Sequence, residues 1–219
     1  MSILLSDKAY ELIKEKIKNY EGNNISVRKI AKEINIGYSP AREACNRLTQ
    51  EGLMEIIPGM GYYIPKVKEK ILDEIFEFRK VVEIYVFNNT FDLINQRHID
   101  MLSKYIENQV NFLKKKDIKS FHQYDKKFHL FFFKLHNNSV FTNQMSNIMD
   151  RSYFCSYKTV DSMEKNKNID AVEEHKDIVK CIAALDKESA IKKFREHIQN
   201  NEKRFKEGFF YKLEKSLLL

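Results

Sequence analysis

The sequence predicts a mainly α protein in two parts, a winged helix-turn-helix over residues 1–66 and an all-helical bundle of six or seven helices over residues 67–219. Three observations predict it. The 219 residues suit two small domains. Only 6 Gly and 3 Pro, with 32% charged residues, leave little material for loops. The clearest turn signal between β-prone runs, Pro58-Gly59-Met60-Gly61, follows three short helical patterns and precedes a long stretch of helical periodicity.

In the first part, SDKAYELIKEKIKNY opens with Ser6 as N-cap and places Ala9, Leu12, Ile13 and Ile17 on one face. SVRKIAKEI is capped by Ser26 and turns Val27, Ile30, Ala31 and Ile34 inward. After the turn NIGY, the segment SPAREACNRLTQEGL has Ser39 as cap and Pro40 at the first helical position. Its buried stripe is Ala41, Ala44, Cys45 and Leu48, which leaves Arg42, Asn46 and Arg47 outward until Gly52 ends the helix. LMEIIPGMGYYIPKV then reads as a β-hairpin.

In the second part, EKILDEIFEFRKVVEIYVFNNTFDLI is apolar around nearly every turn, and helices are predicted over 99–115, 118–136, 138–159, 170–185 and 187–211. SMEKNKNID, residues 162–170, is the expected flexible loop. Phe128, Phe131, Phe132, Phe133, Phe194 and Phe205 read as bundle core rather than a ligand cage.

No apolar run reaches the roughly 18 to 20 residues of a membrane span, and the N-terminus reads as an amphipathic helix rather than a secretory signal. A cytoplasmic protein is expected. Cys45, Cys155 and Cys181 are few, odd in number and scattered inside helical segments, so they read as reduced thiols. The net charge of +7 does not locate a nucleic-acid surface, because residues 1–66 carry ten Lys/Arg against eight Asp/Glu. Local clustering does better: Arg28, Lys29, Lys32, Arg42 and Arg47 face only Glu33 and Glu43, a basic face suited to phosphates.

Asp125 and His129 lie four apart in QYDKKFHLFFFKL, on one face of a helix about one turn apart. His175 and His197 lie 22 residues apart with LDKES between them, so an antiparallel helix pair folded at that turn brings both imidazoles to similar heights. Three imidazoles and a carboxylate suit a borderline divalent cation, with zinc first and nickel, cobalt, iron or manganese as alternatives. Such a set leaves coordination positions open and a net positive site that attracts a small carboxylate. Arg79, Asn138 and Arg151 are candidates for gripping that carboxylate, the arginines through a bidentate fork, or equally for structural partnership with Glu83 or Asp150. His98, His122 and His136 read as surface or helix-end residues.

These residues carry a resemblance to the GntR transcription regulators over the whole chain. NIGYSPAREACNRLTQEGLMEIIPGMGYYIPKV resembles the family's recognition helix and wing. The second half resembles the FadR-type effector domain in its FCD form: Arg79 and Glu83 four apart, DKKFH from Asp125 to His129, HNNSV with Asn138, EEH ending at His175, and REHI around His197. The resemblance implies metal ligation by Asp125, His129, His175 and His197, and DNA contacts from Arg28, Gly37, Tyr38, Ser39, Arg42 and Gly59. Two departures stand out. Tyr38 occupies a position where the family usually has Arg, removing a charged phosphate contact. The link NYEGNNIS is short and lacks the usual Pro-Gly, so the small strand that pairs with the wing is expected to be absent or reduced.

The expected function is a metal-dependent, carboxylate-responsive transcription regulator, a repressor rather than an enzyme, binding a palindromic double-stranded operator as a homodimer. Two alternatives remain open. The helical domain could be a metal-dependent hydrolase, with Glu174 beside His175 as general base. The metal could instead be purely structural, beside a metal-independent ligand pocket.

Overall fold

The computed structural model of this chain describes residues 5–18, 20, 22–159 and 165–217. Contacts divide it into Met1–Lys68 and Glu69–Leu219, a boundary two residues beyond the one read from the sequence.

The first unit runs α1 (Leu5–Lys18), β1 (Asn24–Ile25), α2 (Val27–Glu33), α3 (Tyr38–Gln50), β2 (Glu55–Ile57) and β3 (Gly61–Tyr63). α1 packs on α3, burying Ala9, Tyr10, Ile13 and Ile17 against the stripe Ala41, Ala44, Cys45 and Leu48. Leu12, expected inward, is 39% exposed. Tyr10 takes the inward place instead, because its ring can be buried while its hydroxyl donates to Glu51 at 2.5 Å. α1 already includes Leu5, so Ser6 lies inside the helix rather than capping it. Ser26 caps α2 as expected, accepting from the Lys29 N–H at 3.4 Å.

α3 begins before Ser39. Gly37 is its N-cap, without a side-chain cap bond, and Tyr38 is its first residue. Pro40 therefore sits third rather than first, which the helix tolerates because first-turn N–H groups have no intrahelical acceptor. The three strands form an antiparallel sheet in the order β1-β3-β2, with Asn24 opposite Tyr63 and Ile25 opposite Tyr62. The strand expected to be absent or reduced is thus present, cut to two residues by the short link. At the wing turn Gly59 and Gly61 have φ of 76° and 95°, a region that side chains disfavour. The Tyr62 hydroxyl donates to Asn46 and fastens the wing to α3.

The second unit runs α4 (Glu69–Thr90), a 3-10 turn (Phe91–Leu93), α5 (Gln96–Lys114), α6 (Ile118–His136), α7 (Ser139–Thr159), α8 (Lys165–Ala183) and α9 (Lys187–Leu217). Cap chemistry sets the breaks. Asn95 and His98 form a capping box at α5, Asp117 accepts from the Ser120 N–H at 3.0 Å, and Asp186 from the Ser189 N–H at 3.0 Å. Asn137 ends α6 in the left-handed region at φ 57°. Phe87 stacks on Phe194 at 4.6 Å and meets Phe132 edge-on at 4.9 Å, the centre of a core that also buries Phe76, Phe128 and Phe133. Phe205 is half-buried and packs on Phe76.

Of the expected loop 162–170, residues 162–164 lie outside the described residues, and 165–170 are helical. KNKNID contains no Gly or Pro to stop a helix, so α8 starts earlier than predicted and His175 sits well inside it. α9 likewise continues past residue 211 to Leu217. Among the described residues no helix is long and apolar enough to cross a membrane.

Cys45 and Cys155 are buried and Cys181 is half-buried, all as free thiols. Burial pushes the Cys45 thiol up to about 11 and the Cys155 thiol up to about 12, so at pH 8 neither supplies thiolate. Native protein at pH 8 should therefore react with a maleimide at close to one thiol per chain, and at all three in denaturant, as counted by intact mass.

Candidate metal centre and nucleic-acid interface

α6, α8 and α9 each aim one fully buried imidazole at a common point: His129, His175 and His197. His197 Nε2 is 3.2 Å from His175 Nε2 and 3.2 Å from His129 Nε2. Each ring is oriented from behind through Nδ1. His129 Nδ1 meets Glu83 Oε2 at 2.5 Å, His175 Nδ1 meets Gln109 Oε1 at 3.0 Å, and His197 Nδ1 meets Glu174 Oε2 at 2.7 Å. A neutral imidazole that donates from Nδ1 carries its lone pair on Nε2. Three lone pairs thus face one another, which is repulsive unless a cation lies among them.

The protonation pattern agrees. Burial, reinforced by the neighbouring imidazoles, holds His175 well below the usual histidine range. Burial also lowers His197, although the Glu174 carboxylate pulls the other way. Burial alone would raise Glu83, yet Arg79 and His129 hold it at about 2. Glu174 follows the same logic: its partial burial is overcome by hydrogen bonds from Arg204 and His197, and it too stays at about 2.

Asp125 lies one turn before His129 on α6, with Oδ1 at 3.8 Å from His175 Nε2 and Oδ2 accepting from the Tyr153 hydroxyl at 2.7 Å. Burial and the adjacent Asp125 keep Tyr153 well above the usual phenol range, so it remains a donor. Tetrahedral ligation at a metal–nitrogen distance of about 2.05 Å places ligand nitrogens about 3.3 Å apart. The imidazole spacing fits that edge, and Asp125 lies slightly outside it.

Arg79 is fully buried and donates from Nε to Glu83 Oε1 at 2.6 Å, while its Nη2 has no hydrogen-bond partner among the described residues. Asn138, expected near the ligand, is used elsewhere: its Oδ1 accepts from the Val140 and Phe141 N–H groups and holds the first turn of α7. Arg151 is half-buried on α7, and neither it nor Arg79 lines the small cavity that reaches Asp125. That cavity, about 40 Å³, is bounded by Asp125, Tyr153, Ser156, Asn201 and Arg204 among others. His122, read from sequence as a surface residue, also lines it and stacks on Tyr153 at 4.6 Å. Gln109, Tyr153 and Arg204 went unnoticed in the sequence. Gln109 and Tyr153 stand on helices that carry none of the histidines, and Arg204, two turns after His197 on α9, acts through Glu174 of α8, so no local pattern pointed to these contacts.

Glu174 is no free base. Arg204 grips both its oxygens at 2.8 Å, and it faces Nδ1 of His197 rather than the converging Nε2 atoms.

In the first unit, Arg28 and Arg42 are exposed and carry no ion pair among the described residues, whereas Arg47 is committed. It bonds Asp7 at 3.1 Å and Glu51 at 3.3 Å and lies over the Tyr10 ring at 4.0 Å. Neither α2 nor α3 has an acidic residue in its first turn, and Tyr38 and Ser39 stand exposed at the start of α3. The helix N-terminus, with its unsatisfied N–H groups, can therefore face a phosphate. Gly59, at the wing tip, has open space around its Cα.

The description of bacterial regulatory proteins of the gntR family matches residues 5–64, and that of the FCD domain matches residues 74–200. The HTH-type transcriptional repressor RspR of Escherichia coli K12 is 21% identical over 81% of this chain and 77% of its own length. The gluconate operon transcriptional repressor of Bacillus licheniformis is 25% identical over 82% of this chain and 74% of its own. Among solved structures, E. coli McbR/YncC superposes with a TM-score of 0.81 at 16% identity, covering 95% of this chain and 100% of that one, a likeness of fold.

The two kinds of arginine separate experimentally. Arg47→Ala should lower stability by about 1 kcal/mol through its lost ring stacking and ion pairs, and Arg42→Ala should stay within about 0.5 kcal/mol of the parent. Denaturant unfolding of the full chain measures both.

Proposed function

The chain belongs to the gntR family of bacterial regulatory proteins and carries an FCD domain, so it is a DNA-binding transcription regulator, and on that premise we propose a cytoplasmic repressor that senses a small carboxylate through a bound divalent metal. The observation that carries this reading is the convergence of three buried Nε2 atoms at 3.2 Å. His129, His175, His197 and Asp125 would hold the metal, zinc first among the candidates, with nickel, manganese, iron and cobalt open. When bound, it supplies a Lewis-acid positive charge that attracts a carboxylate.

Arg79 is the effector-gripping residue that the geometry favours, because its buried Nη2 lacks an acceptor. Asn138 Oδ1 is already taken by the first turn of α7, which leaves only its amide N–H groups for such a role. The cavity of about 40 Å³ that reaches Asp125 is smaller than a hydroxy acid, a dicarboxylate or a sugar acid, and in this reading the helices around the site move as an effector enters. α4 begins at Glu69, directly after the first unit, and carries both Arg79 and Glu83. Displacement at the site therefore reaches the start of α4, where the chain comes from the DNA-binding unit. That is a physical route by which an effector alters DNA affinity. Two winged helices on a palindromic operator require half-sites about one helical turn, roughly 34 Å, apart, hence a homodimer. Arg28, Tyr38, Ser39 and Arg42 would meet the DNA around the α3 N-terminus from Gly37, with Gly59 at the wing. Both curated relatives named above are repressors, which favours that sign of regulation.

Against the hydrolase alternative stands the position of Glu174, its candidate base, which is held at about 2 behind His197.

Elemental analysis of the purified chain should give about one metal per chain, lost in the His175→Ala, His197→Ala double variant. Calorimetry should show carboxylate heat only with metal present. Full metal retention by the double variant would overturn the reading. Glu83→Gln should weaken metal affinity about 10- to 100-fold, as expected when an orienting partner is altered. On operator DNA, Arg42→Ala should bind at least about tenfold more weakly with a shallower salt dependence, seen by fluorescence anisotropy across a salt series.

A further inference from the structure

We propose that Tyr153 is a positioning residue that limits Asp125 to a single metal-binding oxygen and so keeps a coordination position open for a carboxylate. The inference rests on the metal reading above and deepens it.

Three carboxylates stand around the imidazoles, and their oxygens are committed differently. Glu83 accepts from Arg79 through Oε1 and meets His129 through Oε2. Glu174 accepts from Arg204 through both oxygens, and Oε2 also meets His197. Every oxygen of these two is already engaged behind the rings. Asp125 is engaged on one side only. Its Oδ2 accepts from the Tyr153 hydroxyl at 2.7 Å, and its Oδ1 lies 3.8 Å from His175 Nε2, one of the converging nitrogens. Among the described residues Tyr153 is the one hydrogen-bond donor to Asp125.

A carboxylate left to itself makes no such division. An ionised Asp offers about four lone-pair sites on two oxygens, it can hold a cation through one oxygen or both, and its χ2 torsion is broad. The Tyr153 hydroxyl removes that freedom, because turning Oδ2 toward the imidazoles breaks a hydrogen bond to a charged acceptor. Tyr153 is itself seated. Its ring stacks on His122 at 4.6 Å with 17° between the planes, and His122 stands three residues before Asp125 on α6, so neighbouring positions of one helix carry the ligand and the seat of its anchor.

The consequence is a count of donors. Three imidazoles with one Asp125 oxygen make four protein donors, and both oxygens would make five. The position saved is one that an incoming carboxylate can take. Asp125 and Tyr153 both border the small cavity, so the choice of oxygen is made at its wall.

The full chain loaded with cobalt(II) tests this, wild type against Tyr153→Phe, which keeps the stacked ring and removes the hydroxyl alone. With cobalt bound in both, the variant should show weaker visible d–d absorption, the mark of a higher coordination number. Acetate, followed by its effect on that absorption, should bind at least about tenfold more weakly, the scale on which outer partners of metal ligands act. In an Asp125→Asn background, where the side chain has one oxygen, adding Tyr153→Phe should leave the spectrum unchanged. Unchanged absorption and acetate affinity in Tyr153→Phe overturn the proposal and leave the metal reading standing, as does an equal spectral change in the Asp125→Asn background. A wild type that takes up no metal overturns both. X-ray absorption of the zinc-loaded wild type needs no substitution and decides the matter should Tyr153→Phe lose its helical circular dichroism: a carboxylate carbon at chelating distance overturns the proposal, and a carboxylate bound through one oxygen supports it.

Discussion

Burying three imidazoles at one point is the constraint on which the bundle depends. A buried histidine must satisfy Nδ1 and Nε2 together, and here the two nitrogens of each ring are divided between an orienting acceptor and a shared centre. Every helix of the second unit contributes. α4 supplies Glu83, α5 Gln109, α6 Asp125 and His129, α7 Tyr153, α8 His175 and Glu174, and α9 His197 and Arg204. The aromatic core around Phe87, Phe132 and Phe194 sets the distances between these helices, and its packing holds the rings in register.

The same device appears twice. Arg79–Glu83–His129 and Arg204–Glu174–His197 are both arginine–carboxylate–imidazole chains, one built within and from α4, the other joining α8 and α9. In each, the arginine offsets the cost of burying the carboxylate, and the carboxylate fixes the tautomer that turns Nε2 inward. The third ring rests on a neutral amide, Gln109. Two anionic supports and one neutral one limit the negative charge buried behind the centre. Arg79 commits one guanidinium nitrogen to Glu83, and so to the ring orientation of His129, while another has no hydrogen-bond partner among the described residues.

The small unit divides its arginines between paired and unpaired roles. Arg47 is spent on Asp7, Glu51 and the Tyr10 ring, which joins α1 to α3, while Arg28 and Arg42 point to solvent unpaired among the described residues. Tyr62 ties the wing to α3 through Asn46, so the hairpin is fastened to that helix despite a partner strand of two residues.

Periodicity and local turn chemistry made the element order, the mainly α class and most of the core phenylalanines legible, because each depends on residues within a turn or two of one another; the histidines were legible as candidates through helical spacing and a single helix turn-back, while their convergence is tertiary. Misreadings fell where longer-range packing or backbone options decide: Leu12 against Tyr10 on α1, the cap of α3 at Gly37, and the polar run into α8, which lacks a helix breaker. The sequence by itself determined which groups could bind a metal and which helices carry them. Only the tertiary structure decided which nitrogen of each ring faces inward, that Asn138 holds a helix turn, that Glu174 is consumed by Arg204, and that Gln109 and Tyr153 belong to the site. Apart from the Asn138 cap, which is local, those outcomes depend on contacts between helices 23 to 66 residues apart, and no spacing rule along one chain encodes them.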